Sequence, residues 1–115
     1  MGSYADDALF MSRNNIEYVE LISDDGKSKV MVIPAWQGRV MTTSAAGDEG
    51  DSYGWINYSF IKKRQIDLQF NPVGGEERFW LGPEGGVFSL YFRQGEKQIY
   101  KNWKVPPVLH IEAFK

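Results

Sequence analysis

Residues 71–86, Asn-Pro-Val-Gly-Gly-Glu-Glu-Arg-Phe-Trp-Leu-Gly-Pro-Glu-Gly-Gly, constrain this chain more than any other stretch. Five glycines and two prolines in sixteen positions rule out a continuous helix or regular strand there. Glycine serves where the backbone takes a positive φ or passes close to another group, and proline fixes φ and removes a donor. Such a segment is a shaped loop. Glu76, Glu77, Arg78, Trp80 and Glu84 ride on it and are held in defined directions, as recognition of a polar ligand requires. The competing reading is purely architectural, with Arg78 neutralising the carboxylates and Trp80 filling the core.

The remaining sequence reads as β. Residues 16–22 and 28–33 are apolar-rich runs separated by Asp24-Asp25-Gly26, the pattern of a β-hairpin. Pro34 ends the second run because it cannot donate to a ladder. Residues 38–44 make a third strand, and 46–53 a polar loop. Residues 66–70 alternate, and Val-Phe-Ser-Leu-Tyr-Phe at 87–92 predicts a central buried strand. A turn at Gly95-Glu96 precedes residues 98–103, and a last short strand is expected over 108–111. Helix is scarce: one or two turns over 6–12, capped by Ser3 or Asp6, and a short helix capped by Asn57 and running through residue 63. The expected core is Val19, Leu21, Val30, Val32, Val40, Ile56, Phe88, Leu90 and Phe92. The expected fold is mainly β and antiparallel with one or two short helices, in a single domain over residues 1–115.

Composition narrows the function classes. Thirteen basic and fifteen acidic side chains give a net charge of -2, without the basic footprint of a nucleic-acid binder. No apolar run is long enough to span a bilayer. Cysteine is absent, so disulfides and thiolate metal sites are excluded while the compartment stays open. Met1-Gly2-Ser3 reads as a leader, in which case a removed signal peptide would make this an exported protein.

The blocks Gln37-Gly38-Arg39-Val40-Met41-Thr42-Thr43-Ser44-Ala45, Ser52-Tyr53-Gly54-Trp55-Ile56-Asn57 and Gly74 to Gly86 resemble, in this order, an uncharacterised bacterial family whose members are considerably longer. That family is distantly similar to the galactose mutarotase-like proteins, which build a large β-sandwich around a sugar cleft. The resemblance implies that this chain corresponds to the N-terminal part of such a sandwich and that its partner is a sugar or glycan. Aldose epimerases carry a general-acid histidine and a general-base carboxylate on later strands. The lone histidine here, His110, lies outside the matching blocks and reads as structural, so the chain is not expected to be a complete epimerase.

Other chemistry fits less well. Asp48, Glu49 and Asp51 lack the spacing of a calcium loop. Glu76, Glu77 and Glu84 include a conceivable glycosidase-type pair, although adjacent Glu76 and Glu77 would point apart in an extended chain. One or two of the four tryptophans are expected to be exposed, Trp80 first. No cofactor and no metal site is indicated. Two readings stand: a carbohydrate-recognising domain whose cleft is lined by Arg39, Asn57, Glu77, Arg78, Trp80 and Glu84, and a structural or interaction domain that pairs, for instance as a homodimer, through an exposed sheet edge.

Overall fold

The chain begins with a helix whose cap is written into its first residues. Residues 2–115 are described by the computed structural model. Ser3 Oγ accepts the Asp6 N–H at 3.2 Å, and Asp6 Oδ2 accepts the Ser3 N–H at 3.2 Å, a reciprocal capping box that opens helix α1, Tyr4–Arg13. Asp6 and Asp7 in the first turn and Arg13 in the last complement the helix dipole. Gly2 also accepts a hydrogen bond from Ser52 N at 3.1 Å. Gly2 and Ser3 therefore take part in the fold.

Strand β1, Val19–Ile22, pairs antiparallel with β2, Lys29–Ile33, across the expected turn. There Gly26 takes φ 73°, and Asp25 Oδ1 accepts from Ser23 Oγ at 2.7 Å and Lys27 N at 3.0 Å. Strand β3, Arg39–Ser44, completes a three-stranded sheet of order β1-β2-β3. Pro34 does end β2, starting a 3₁₀ turn over Pro34–Trp36, and Gln37 and Gly38 reverse the chain at φ 61° and 63°. A register shift between Met31 and Val32 interrupts the β2–β3 ladder.

The sheet faces are inverted relative to the expected core. Helix α1 lies on the side of Met31, Ile33 and Met41, all buried with Tyr4, Met11, Ile61 and Val73. Val19, Leu21, Val30, Val32 and Val40 share the other side, with Val19 opposite Val32 and Leu21 opposite Val30. Leu21 is 58% exposed while Met31 is 0% exposed. Two alternating faces were legible, and both are apolar. Helix α1 was free to cover either, and the flexible methionines fill the irregular space beneath it. Of the expected core, only Ile56 packs partly against this cluster.

Beyond α2, Tyr58–Lys62, the chain runs mostly without regular structure to a 3₁₀ turn at Tyr100–Asn102 and to α3, Pro107–His110. The expected strand over 87–92 is a series of turns and bends, with Phe88 83% exposed. Gly86 at φ 91° starts a turn closed by Ser89 N to Gly86 O at 3.2 Å. Without a neighbouring strand to take its N–H and C=O groups, an apolar run has no ladder to join. Residues 66–70 likewise form no strand, leaving Ile66 and Leu68 exposed. Residues 108–110 instead belong to α3, where Pro107 sits in the first turn and its missing N–H costs nothing, and Ile111 follows as the C-cap.

A small second cluster of Tyr91, Val105 and Leu109, flanked by Trp80, Phe92 and Trp103, holds this half together. Phe92 alone of the three core residues expected from 87–92 joins it. The split core gives an elongated body: the radius of gyration is 16.3 Å, against about 13 Å for a compact chain of this length. The architecture is thus a small antiparallel sheet with few helices, covered on one face among the described residues.

Candidate functional site

The Gly-rich segment is tied into the sheet at its first turn. Val40 N donates to Glu77 O at 2.9 Å and Glu76 N to Val40 O at 2.9 Å, so residues 76–77 run beside β3. On the other side, Gly75 N donates to Trp55 O at 2.7 Å and Asn57 N to Val73 O at 3.0 Å. The backbone is wedged between these two neighbours, and only glycine fits. Gly74 and Gly75 take φ 95° and 107°; a Cβ on Gly74 would lie 2.2 Å from Trp55 O, and one on Gly75 would lie 2.8 Å from Arg39 Cδ.

This wedge places Arg39 and Arg78 close to each other. Arg39, 6% exposed at the start of β3, donates from Nη1 to Gly74 O at 2.7 Å. Arg78 donates from Nη2 to Leu109 O and brings Nη1 to 3.2 Å from His110 Nδ1. Among the described residues neither arginine makes an ion pair, and the Nε of each is buried without a partner. Burial, reinforced by the charge of Arg78, pulls the Arg39 pKa down to about 10. Burial lowers Arg78 as well. His110, 4% exposed, is held down to about 4 by burial first and then by Arg78 and Arg39, against a small opposing effect of Asp67. Asn71 N donates to its Nε2 at 2.7 Å, and Phe70 stacks on its ring at 5.5 Å.

Arg78, Trp80 and Glu84 form a line. The guanidinium carbon lies 4.5 Å from the indole centroid, and Trp80 Nε1 donates to Glu84 Oε1 at 2.6 Å. Tyr91 stacks on the same indole at 5.1 Å, so much of the flat surface expected for stacking is in use. Trp80 is half-buried; the tryptophan that stands out is Trp55, 64% exposed. Gly38, Val40, Glu77, Arg78, Phe79 and Trp80 line a concavity of about 400 Å³, into which the exposed Glu77 side chain and Phe79 ring can reach.

All six expected site residues lie along this segment or against it. Asn57 does so while capping α2, with Oδ1 accepting from Phe60 N at 3.2 Å and Ser59 Oγ at 3.1 Å, and Nδ2 donating to Pro72 O at 2.9 Å. Glu76 is committed to Thr43 Oγ1 at 2.9 Å, and in the acidic loop Asp48 is paired with Lys29 at 2.6 Å. His110 joins the arginines, although it lies 32 residues from Arg78. No spacing rule links the two positions. The arrangement leaves two N–H donors, Arg39 Nε and Arg78 Nε, without an acceptor, with exposed carboxylate and aromatic groups at the rim.

No curated protein and no solved structure matches the chain. A family profile, described as a family of unknown function, matches residues 2–115. By that match over nearly its whole length, the chain belongs to this family of unknown function, DUF6786.

Proposed function

We propose that the Gly-rich segment and the start of β3 form a carbohydrate-binding site in a mutarotase-like domain. One observation carries the reading: Arg78, free of any ion pair among the described residues, lines an open concavity beside Glu77 and Trp80 instead of being neutralised in the core. A ring with several hydroxyls needs donors and acceptors in fixed directions next to an apolar wall. Arg78 supplies donors, Glu77 accepts, and Phe79 and Trp80 form the wall. The reading is of binding, not of a complete epimerase. Titration of tryptophan fluorescence with galactose, glucose and glucuronate tests it. A saturable change in wild type that is lost in Arg78→Gln supports the site, and no response to any of the three sugars refutes it.

A second reading is favoured by the open side of the sheet. Val19, Leu21, Val30, Val32 and Val40 form an apolar face bordered by the edge of β1, which has no further strand beside it among the described residues. In a β-sandwich this is the face that receives the second sheet. We infer a protein-interaction role for this face, either within a sandwich or in a homodimer. Light scattering behind size exclusion reads it directly: a dimer that Leu21→Glu converts to monomer supports self-association, and a monomer at all concentrations removes the homodimer.

A further inference from the structure

We infer that Arg39, Arg78 and His110 form a receptor for an oxyanion, a carboxylate or phosphate group carried by the ligand of the Gly-rich site. The identity of the rest of that ligand rests on the carbohydrate reading above.

The inference starts from donors without acceptors. Arg39 Nε and Arg78 Nε are buried and make no hydrogen bond. His110 adds a third donor. A neutral imidazole has one acceptor nitrogen, and Nε2 uses it for Asn71 N–H at 2.7 Å. The ring proton is then on Nδ1, 3.2 Å from the Arg78 guanidinium, so that contact sets a donor against a donor. The antiparallel bridge of Val40 with Glu77 sets Arg39 opposite Arg78, near enough for Arg78 to lower the pKa of Arg39 and for both to bear on His110.

A buried Arg39 beside a half-buried Arg78 is costly without an anion, because hydrogen bonds to Gly74 O and Leu109 O offset only part of the desolvation of the two charges. The chain's own carboxylates are turned elsewhere. Glu84 accepts from Trp80, and Glu76 from Thr43. Asp67, which faces His110, accepts from the backbone N–H of Gln69 at 2.7 Å and Phe70 at 3.1 Å. Glu77 is at the open rim. An oxyanion is the missing complement: its lone pairs match the guanidinium fork, and it would accept from Arg78 and His110 Nδ1 together. Arg78 is the member that reaches the concavity, and Arg39 lies behind it under Gly74 and Gly75.

The test is thermal denaturation of the whole chain with glucuronate, glucose or inorganic phosphate, each against sodium chloride at matched ionic strength. Glucuronate or phosphate should raise the melting temperature above the chloride control, and glucuronate should bind about tenfold or more tightly than glucose. Arg78→Gln should lose that preference, and Arg78→Lys should recover part of it, since the charge returns without the fork. In wild type the His110 ring nitrogen resonances should shift on adding glucuronate, a readout that needs no variant to fold. A response to glucuronate alone identifies a sugar carboxylate, and a response to phosphate identifies the phosphate group. Equal binding of glucose and glucuronate overturns the oxyanion receptor and leaves the carbohydrate site standing. Binding of phosphate with neither sugar keeps the receptor and sinks the carbohydrate site. No stabilisation by any of the three overturns both.

Discussion

Truncating one side chain on each face of the sheet tests which face is the core. Met31 is 0% exposed and sits in the buried cluster with Ile33, Met41 and Tyr4, whereas Leu21 is 58% exposed on the opposite face. Met31→Ala deletes buried atoms beneath α1 and leaves a cavity, and such truncations cost about 2–5 kcal/mol. Leu21→Ala removes a side chain that already contacts water and should cost less than about 1 kcal/mol. With an unfolding entropy of about 2.1 cal/mol/K per residue, 115 residues give about 0.24 kcal/mol/K, so 1 kcal/mol corresponds to about 4 °C. Met31→Ala should therefore lower the melting temperature by about 8–20 °C and Leu21→Ala by less than about 4 °C. Differential scanning calorimetry at two protein concentrations measures both. Equal losses in dilute solution would refute the face assignment. A Leu21 effect that grows with concentration would instead mark the open face as buried in a dimer.

Three further outcomes are expected. Tyr91→Ala should cost about 3–5 kcal/mol in urea denaturation, since Tyr91 is buried and stacks on Trp80 and Trp103, while Phe88→Ala should cost below about 1 kcal/mol; the reverse order would restore the strand expected over 87–92. Gly74→Val should yield insoluble or unfolded protein by circular dichroism, because a positive φ and a Cβ 2.2 Å from Trp55 O leave it no place; a folded variant with unchanged melting temperature would show that the wedge is not needed. His110 stays neutral in the folded chain down to about pH 4, whereas the unfolded chain takes up the proton near the ordinary histidine value of 6.5. Stability should therefore be full above 6.5 and fall as pH drops through that window, by at most about 3 kcal/mol, and His110→Asn should flatten the slope in urea titrations at pH 7 and pH 4.5.

What the sequence determined by itself was local. Asp24-Asp25-Gly26 between apolar runs specifies the hairpin, Pro34 stops β2, Asn57 caps α2, and the glycines at 74 and 75 demand backbone that other residues cannot adopt. Each of these is a short-range rule between neighbours in the chain. The same rules located Arg78, Trp80 and Glu84 on one shaped segment, and the structure joins them in a line.

Tertiary structure decided what lies beyond those neighbours. Alternation marks two faces of a sheet but does not say which one a helix will cover, and α1 chose the methionine side over the valine side. An apolar run such as 87–92 becomes a strand only if a partner strand takes its backbone groups, and among the described residues none does. Asn57 was legible as a cap, and the fold also ties its amide to Pro72 O of the Gly-rich segment. His110 entered the arginine cluster through α3, whose position against residues 71–78 is set by packing of Leu109 and by the Asn71 and Arg78 contacts. Charge and hydrophobicity are properties of single residues; which polar groups are brought together is a property of the fold.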